Sequence, residues 1–217
     1  FIGCVPIVAG TIALAVGASF DAKRKGIDGI GVAYLGDGAV EEGVFHESLN
    51  LSKVLVAPTL FVVENNLFAS HMHISLRQPS YSVARFAESN DIEYKIIDGN
   101  NVLEVYEASK YLIEGCRNNE GPKLLEVLTH RQFGHVDWRK DIDVGINRSK
   151  EDLHLWKKRD PIDRLYLSFL KANIMTENQF QLLNTEIHNN INYLWDKALD
   201  DPYPSEEKLI KRVYEKQ

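Results

Sequence analysis

Residues 30–38, Ile30-Gly-Val-Ala-Tyr-Leu-Gly-Asp-Gly38, decide the fold. A short apolar run, Ile30 to Leu35, enters a tight Gly-Asp-Gly turn, the pattern of a buried strand that stops abruptly. Upstream, residues 8–25 read as a helix that ends in the polar, basic run Asp21-Ala-Lys-Arg-Lys25, with Gly26 as its stop. Downstream, a helical stretch runs from about Glu42 to Lys53, and Pro58 introduces Thr59-Leu-Phe-Val-Val63, the strongest strand signal in the chain. Polar residues 64–80 form a loop. Tyr81–Ser89 is expected to be helical, Glu93–Asp98 a strand, Val102–Arg117 a helix and Lys123–Leu128 a further strand. A long polar loop runs from about Thr129 to Ser149. Strands alternating with helices predict an α/β fold, a mostly parallel sheet with helices on both faces. Ligands in such sheets sit beyond the carboxyl ends of the strands. Past residue 150 the pattern is helical. Phe180, Leu183, Ile187, Ile191, Leu194 and Ala198 form an amphipathic stripe, expected to pack on its own domain. The expected division is residues 1–150 as the α/β domain and 151–217 as a helical extension of it.

Bulk properties narrow the function. With 217 residues, 44% of them hydrophobic, the chain can build a core without staples. A net charge of -6 and the lack of any dense Lys/Arg block argue against nucleic acid, whose phosphates require a basic face. Cys4 and Cys116 form no C-x-x-C pair and read as small core residues, reduced in a cytosol-like compartment. Phe1–Phe20 carries no charge, but Pro6 interrupts it and Gly3, Gly10 and Gly17 keep it small rather than oily. A buried helix is therefore expected there, with neither a membrane span nor a signal peptide. Gly10, Ala13 and Gly17 line one face of that helix, a stripe suited to close approach of another backbone such as a second subunit.

Three strand ends carry the candidate chemistry: Gly36-Asp37-Gly38, Glu64-Asn65-Asn66, and Arg131-Gln-Phe-Gly-His135. Asp37 and Asn66 offer hard oxygens suited to Mg²⁺. One carboxylate and one amide are too few to hold that ion alone, so a ligand bringing phosphate oxygens is implied. Gly36 and Gly38 let the backbone approach a diphosphate, and the following helix would present its amino end to the anion. Glu41 and Glu42 lie near that helix start, where the macrodipole favours negative charge. Gly-Asp-Gly alone is an ordinary turn, and an Asn pair alone says little. At a separation of 29 positions, each after a β-rich run, Asp37 and Asn66 come to one sheet edge through a single crossover. By spacing, His71-Met-His73 suggests a transition-metal pair, but no Cys or carboxylate accompanies it. A solvated loop or a substrate-side contact is the preferred reading. A lone His such as His135 is usually a polar residue of surface or core, but its loop position after a strand, beside Gly134, favours function.

These motifs resemble the thiamine-diphosphate-binding motif. Gly36-Asp-Gly-Ala-Val-Glu-Glu-Gly43, Glu64-Asn-Asn66, Asp98-Gly-Asn100, Arg131-x-x-Gly-His135 and Asp160-Pro-Ile162 are together similar to the alpha subunit of the 2-oxo acid dehydrogenases. That family serves the pyruvate, branched-chain 2-oxo acid and acetoin complexes. The resemblance spans nearly the whole chain. It begins abruptly at Phe1, where the family carries further upstream sequence that also contacts the cofactor, so a missing N-terminal segment is expected. It implies that Asp37, the side chain of Asn66 and the backbone carbonyl of Phe68 bind Mg²⁺. It further implies that Gly36, Gly38 and Ala39 line the diphosphate, that Arg131 helps to hold the cofactor by positioning its loop, and that His135 lies over the cofactor near the diphosphate and the reacting centre. Phe68 stands where relatives often have Tyr, a change that a backbone ligand tolerates. Phe133 replaces a His of some relatives, which removes a second loop imidazole. Val136 stands where mammalian pyruvate enzymes carry a regulatory Ser, so that switch is not expected.

The implied activity is oxidative decarboxylation of a small 2-oxo acid. The thiazolium C2 of the cofactor loses its proton, attacks the 2-oxo carbon and stores the electrons left when CO₂ departs. The carboxylate that activates the aminopyrimidine would come from a separate beta subunit in an α₂β₂ assembly, since no acidic residue of this chain is assigned to it. A lipoyl-bearing acyltransferase is a further implied partner, and the cytoplasm or the mitochondrial matrix the implied compartment. Two other readings stand beside this one: the amino-terminal half of a split transketolase-like enzyme, and a non-catalytic module that has kept the fold.

Overall fold

The computed structural model describes residues 3, 6–135 and 150–210. In chain order the helices are α1 (Gly10–Arg24), α2 (Gly43–Val54), α3 (Arg85–Glu88), α4 (Val102–Arg117), α5 (Lys150–Lys157), α6 (Pro161–Lys171), α7 (Glu177–Asp200) and α8 (Glu206–Ile210). The strands are β1 (Gly31–Gly36), β2 (Thr59–Asn65), β3 (Phe68–Ala69), β4 (Met72–His73), β5 (Glu93–Asp98) and β6 (Lys123–Leu128). The described residues fall into two compact units, 1–165 and 166–217.

A four-stranded sheet in the order β1-β2-β6-β5 organises the first unit, and every pairing in it is parallel. The expected α/β fold with helices on both faces is what forms. On one face α1 and α2 close a core around Ile12, Val16, Phe45, Leu49, Phe61 and Val63. On the other, α4 lays Ala108, Leu112 and Cys116 over Leu60, Val62, Ile97, Leu125 and Val127. Each aliphatic or aromatic side chain so removed from water contributes about 1.5–3 kcal/mol of transfer free energy. Coverage is uneven at β1, where buried and exposed residues alternate and Val32 and Tyr34 face solvent.

Helix α1 ends where the sequence places its stop. Gly26 takes φ 66°, a left-handed conformation that suits glycine, and Ile27 N–H returns to the Ala22 carbonyl at 2.9 Å. The helix lies so close to β1 that a Cβ at Gly31 would come 2.2 Å from the Ala15 carbonyl oxygen. A buried Ser19–Thr59 hydroxyl bond of 2.7 Å joins the same helix to β2. Ile12, Ala15, Val16 and Ser19 are therefore the inward face, while Ala13 and Gly17 are exposed. Cys116 is buried in the α4 core, as expected; Cys4 lies outside the described residues.

Two expectations are corrected locally. The expected helix 81–89 shrinks to α3 because the backbone N–H groups of Val83 and Ala84 bind the Glu126 carboxylate. The polar loop 64–80 contains the small antiparallel pair β3–β4 and a 3₁₀ turn at Ile74–Leu76. In the second unit Thr176 and Gln179 form a reciprocal capping box at the start of α7. No residue of α7 is buried, and Leu183, Ile187, Ile191 and Leu194 of its stripe stay exposed. No described helix is long and apolar enough to cross a membrane.

Candidate active site

Strand register builds the site. Gly36 pairs with Glu64, while Asn65 and Asp98 both align with Leu128, so the four parallel strands end at one edge. The residues just past those ends, Asp37, Asn66, Gly99 and Thr129, stand along the same rim. Two of the three candidate motifs thus meet through backbone pairing alone, and β6 delivers the third.

At the first strand end the turn is shaped by space rather than by dihedral angle. Gly38 has φ -76° and ψ -31°, which any residue can adopt. A Cβ there would nevertheless lie 2.7 Å from the Ala69 Cβ, whereas one at Gly36 would meet nothing within 4 Å. Gly38 lets β3 close onto the turn; Gly36 leaves the rim open in front of it. A 3₁₀ turn, Ala39–Glu41, then intervenes before α2, so the amino end of α2 does not abut Gly38 as the sequence suggested.

The two asparagines divide their work. Asn65 is buried, donates to the Tyr81 carbonyl (2.8 Å) and the Glu126 carboxylate (2.7 Å), and accepts from Leu67 N–H (3.0 Å). It is a structural pin. Asn66 is half-buried, and its Oδ1 accepts from Phe68 N–H at 3.0 Å, closing an Asx turn. Leu67 between them has φ 68°, unusual for a branched side chain and costing about 1–3 kcal/mol. Asn65 Oδ1 on its N–H and Ile74 N–H on its carbonyl (2.8 Å) hold that conformation. Phe68 lies on β3, its ring edge-on to His73 at 5.0 Å.

Beyond β6, Arg131 Nη2 donates to the Ser70 carbonyl at 2.9 Å, and the His135 ring lies 6.4 Å from that of His71. The loop 131–135 is thus laid against the 66–73 hairpin. Val136 lies outside the described residues. His71 stands beside His135, whereas the His73 ring contacts Phe68 and Tyr81 and accepts from Ser75 N–H. The His71–His73 pair is therefore split between two environments.

Asp98-Gly-Asn100 anchors this loop from behind. Thr129 Oγ1 donates to Asn100 Oδ1 at 2.9 Å, Asn100 Nδ2 donates to the Arg159 carbonyl at 2.9 Å, and Arg164 bonds both Asp98 (2.7 Å) and the Asn100 carbonyl (2.9 Å). Burial works against the Asp98 carboxylate, but hydrogen bonds from Arg164 and Arg159 outweigh it and hold its pKa below the ordinary value. Asp160-Pro-Ile has its own local reason. Asp160 Oδ1 accepts from the N–H groups of Ile162 and Asp163, capping a helix whose first residue is Pro161. Its other oxygen accepts from Gln132 at 3.3 Å.

Two members of the rim network escaped sequence reasoning. Arg77 donates Nη2 to Asp37 at 2.5 Å and Nη1 to Glu41, and its Nε reaches the Met72 carbonyl at 3.2 Å. Glu41 accordingly faces Arg77 and Gln78 rather than the start of α2. Glu126, fully buried, accepts from Asn65, Ser82 Oγ (2.6 Å), Val83 N–H and Ala84 N–H. Arg77 is the only Arg or Lys in the polar stretch 64–80, and Glu126 the one acid in an apolar strand, which were the signals available.

The donor set fits a divalent cation bound together with a diphosphate. Among the described residues no three His, Cys, Asp or Glu side chains gather as a metal cage. A cation at Asp37 would therefore need amide, carbonyl and phosphate oxygens to complete six hard donors. The buried Asp37 carboxylate, already drawn to a guanidinium, and the open space before Gly36 suit such a pair.

Comparison with known proteins identifies the family. The family model described as dehydrogenase E1 component matches residues 1–207. The alpha subunit of acetoin:2,6-dichlorophenolindophenol oxidoreductase from Bacillus subtilis is 31% identical over 98% of this chain and 62% of its own length. The pyruvate dehydrogenase E1 component subunit alpha of Rhizobium meliloti is 29% identical over 98% of this chain and 60% of its own. The 3-methyl-2-oxobutanoate dehydrogenase subunit alpha of Mycobacterium tuberculosis is 31% identical over 92% of this chain and 54% of its own. The chain thus spans a little over half the length of the relatives it matches. With the family model running over nearly all of its length, this chain belongs to the dehydrogenase E1 component family.

Proposed function

We propose that this chain is the alpha-type subunit of a thiamine-diphosphate- and Mg²⁺-dependent enzyme that oxidatively decarboxylates a 2-oxo acid. The observation that carries the reading is the meeting of the Asp37-Gly38 turn with the Asn66–Ala69 segment at the carboxyl edge of the parallel sheet. Asp37, the Asn66 side chain and the Phe68 carbonyl would hold the cation. Gly36, Gly38 and Ala39 would lie along the diphosphate, where backbone rather than side chains allows close approach. When bound, thiamine diphosphate supplies the nucleophilic carbon and the electron sink for decarboxylation.

This chain's own residues do the rest. The Arg131–Ser70 contact fixes the loop that carries His135 beside His71, so that two imidazoles border the mouth of the rim. His135 acts there on the substrate side, as a hydrogen-bond or proton donor to a 2-oxo acid oxygen. The carboxylate that activates the aminopyrimidine comes from a beta subunit, in an α₂β₂ assembly that hands its acyl product to a lipoyl-bearing acyltransferase.

Calorimetric titration of thiamine diphosphate with Mg²⁺, on the chain co-expressed with its beta partner, tests the reading. Binding that Asp37→Ala abolishes is the expected result. Equal binding by the variant, or none by the wild type, overturns it. Turnover of 2-oxo acids rather than sugar phosphates distinguishes the dehydrogenase-type enzyme from a transketolase-like one.

A further inference from the structure

We infer that Arg77 is the resident cation of the Asp37 pocket and makes divalent-cation binding there conditional on diphosphate. The inference rests on the cofactor site proposed above and adds a residue that none of the family motifs contains.

Asp37 is 1% exposed and the Arg77 side chain 6%. A buried carboxylate without a partner is strongly disfavoured, so the guanidinium satisfies Asp37 when no metal is present. Arg77 is itself held from three sides, by Asp37, by Glu41 and by the Met72 carbonyl. Gln78 donates a second bond to the same Glu41 oxygen at 2.8 Å, and Arg85 donates to Gln78. The guanidinium flanks the phosphate-side turn, because a Cβ on Gly38 would lie 4.0 Å from its Nη1.

Charge sets the order of binding. Asp37, Glu41 and Arg77 together carry one net negative charge, and the positive member sits on the carboxylate that the metal needs. A divalent cation arriving alone meets the guanidinium across a buried gap, where like-charge repulsion is poorly screened. It can bind only by displacing Arg77, which then keeps a single carboxylate. A diphosphate changes the balance. Its oxygens match the planar, forked donors of a guanidinium, so Arg77 can turn from Asp37 to phosphate as the metal takes the carboxylate. Metal and diphosphate each remove the obstacle to the other, which is a positive coupling free energy between two ligands. Removing the guanidinium should therefore help the metal alone and weaken the coupling.

The test is Mn²⁺ binding to the full chain co-expressed with its beta partner, counted as free ion by electron paramagnetic resonance, with and without thiamine diphosphate. Wild type should bind Mn²⁺ weakly alone and about tenfold or more tightly with thiamine diphosphate, within the usual range for coupled ligands. Arg77→Gln removes the cation from Asp37, leaving Glu41 with its bond from Gln78, and should tighten Mn²⁺ alone by about tenfold while lowering the enhancement by thiamine diphosphate. Arg77→Lys keeps a cation without the planar fork, so it should bind Mn²⁺ alone as weakly as wild type yet lose part of the enhancement. It decides the matter if the Gln variant does not fold, as judged by circular dichroism. An unchanged Mn²⁺ affinity and enhancement in a folded Arg77→Gln, or in Arg77→Lys when the Gln variant does not fold, overturns the inference and leaves the cofactor site standing. Wild type that binds no Mn²⁺ even with thiamine diphosphate overturns both.

Discussion

Gly38 and Ala69 face each other so closely that a single methyl group on the glycine would lie 2.7 Å from the Ala69 Cβ. The contact sets the distance between the turn that carries Asp37 and the strand that succeeds Asn66 and includes Phe68. Gly38→Ala should push β3 outward, because its backbone dihedrals tolerate alanine and only space forbids it. We expect thiamine diphosphate affinity to fall at least tenfold, with a destabilisation of about 1–3 kcal/mol in denaturant unfolding. The double variant Gly38→Ala/Ala69→Gly should recover most of the affinity. No recovery would mean that the glycine acts through something other than this contact.

The Asp98–Arg164 pair gives folding a pH signature. The folded pKa of Asp98 is depressed, since hydrogen bonds from Arg164 and Arg159 more than offset burial. Its stabilisation is therefore complete above the unfolded carboxylate pKa and fades as pH falls through the lower folded value. Asp98→Asn should cost about 1.5–3 kcal/mol at pH 7, the scale of a hydrogen bond to a charged group. That cost should shrink toward pH 3 in urea melts. A deficit that does not change with pH would show that shape, not charge, is what Asn fails to supply.

The fold was readable because β1, β2 and β6 are short, mostly apolar runs bounded by turns, and because Gly26 and Asp98-Gly-Asn100 punctuate the chain at the observed boundaries. Asp37 and Asn66 were readable as neighbours because one crossover between parallel strands leaves little freedom. What stayed hidden depends on contacts distant in sequence. Residues 81–84 look helical by composition, but a carboxylate 42 positions away takes the N–H of Ala84. Arg77 reads as one basic residue in a polar loop, and nothing local shows that it spans 40 positions to reach Asp37. Likewise, the purpose of Asp160-Pro161 as a helix cap that also ties Gln132 emerges only when two segments meet.

Cys116 should be chemically silent. Burial among the α4 core residues pushes its thiol up to about 11, and its Sγ lies 3.6 Å from the Thr59 carbonyl oxygen. Only the thiolate reacts with alkylating agents, so the native protein should resist iodoacetamide at Cys116 at pH 8 and react fully in guanidinium. A Cys4→Ser background with mass spectrometry isolates the residue. Rapid native labelling would mean that α4 opens from the sheet on the timescale of the reaction.

Glu126 supports the rim without touching any proposed ligand. Its carboxylate lies in the centre of the sheet, accepting from Asn65 of the neighbouring strand, from the Ser82 hydroxyl and from the N–H groups of Val83 and Ala84. Among these donors the Val83 N–H has no other acceptor among the described residues, and the Asn65 amide would keep only its bond to the Tyr81 carbonyl. Glu126→Leu, similar in volume but unable to accept, should therefore destabilise by about 3–5 kcal/mol, the scale of breaking a buried polar network. Glu126→Gln keeps one accepting oxygen but turns an NH₂ toward groups that are all donors, and about 1–3 kcal/mol is expected. Since Asn65 also shapes the Leu67 turn through its other end, the Gln variant should weaken thiamine diphosphate binding as well as stability. Chemical denaturation together with calorimetric titration separates the two effects. Lost stability with unchanged affinity would show that Asn65 keeps its turn without Glu126.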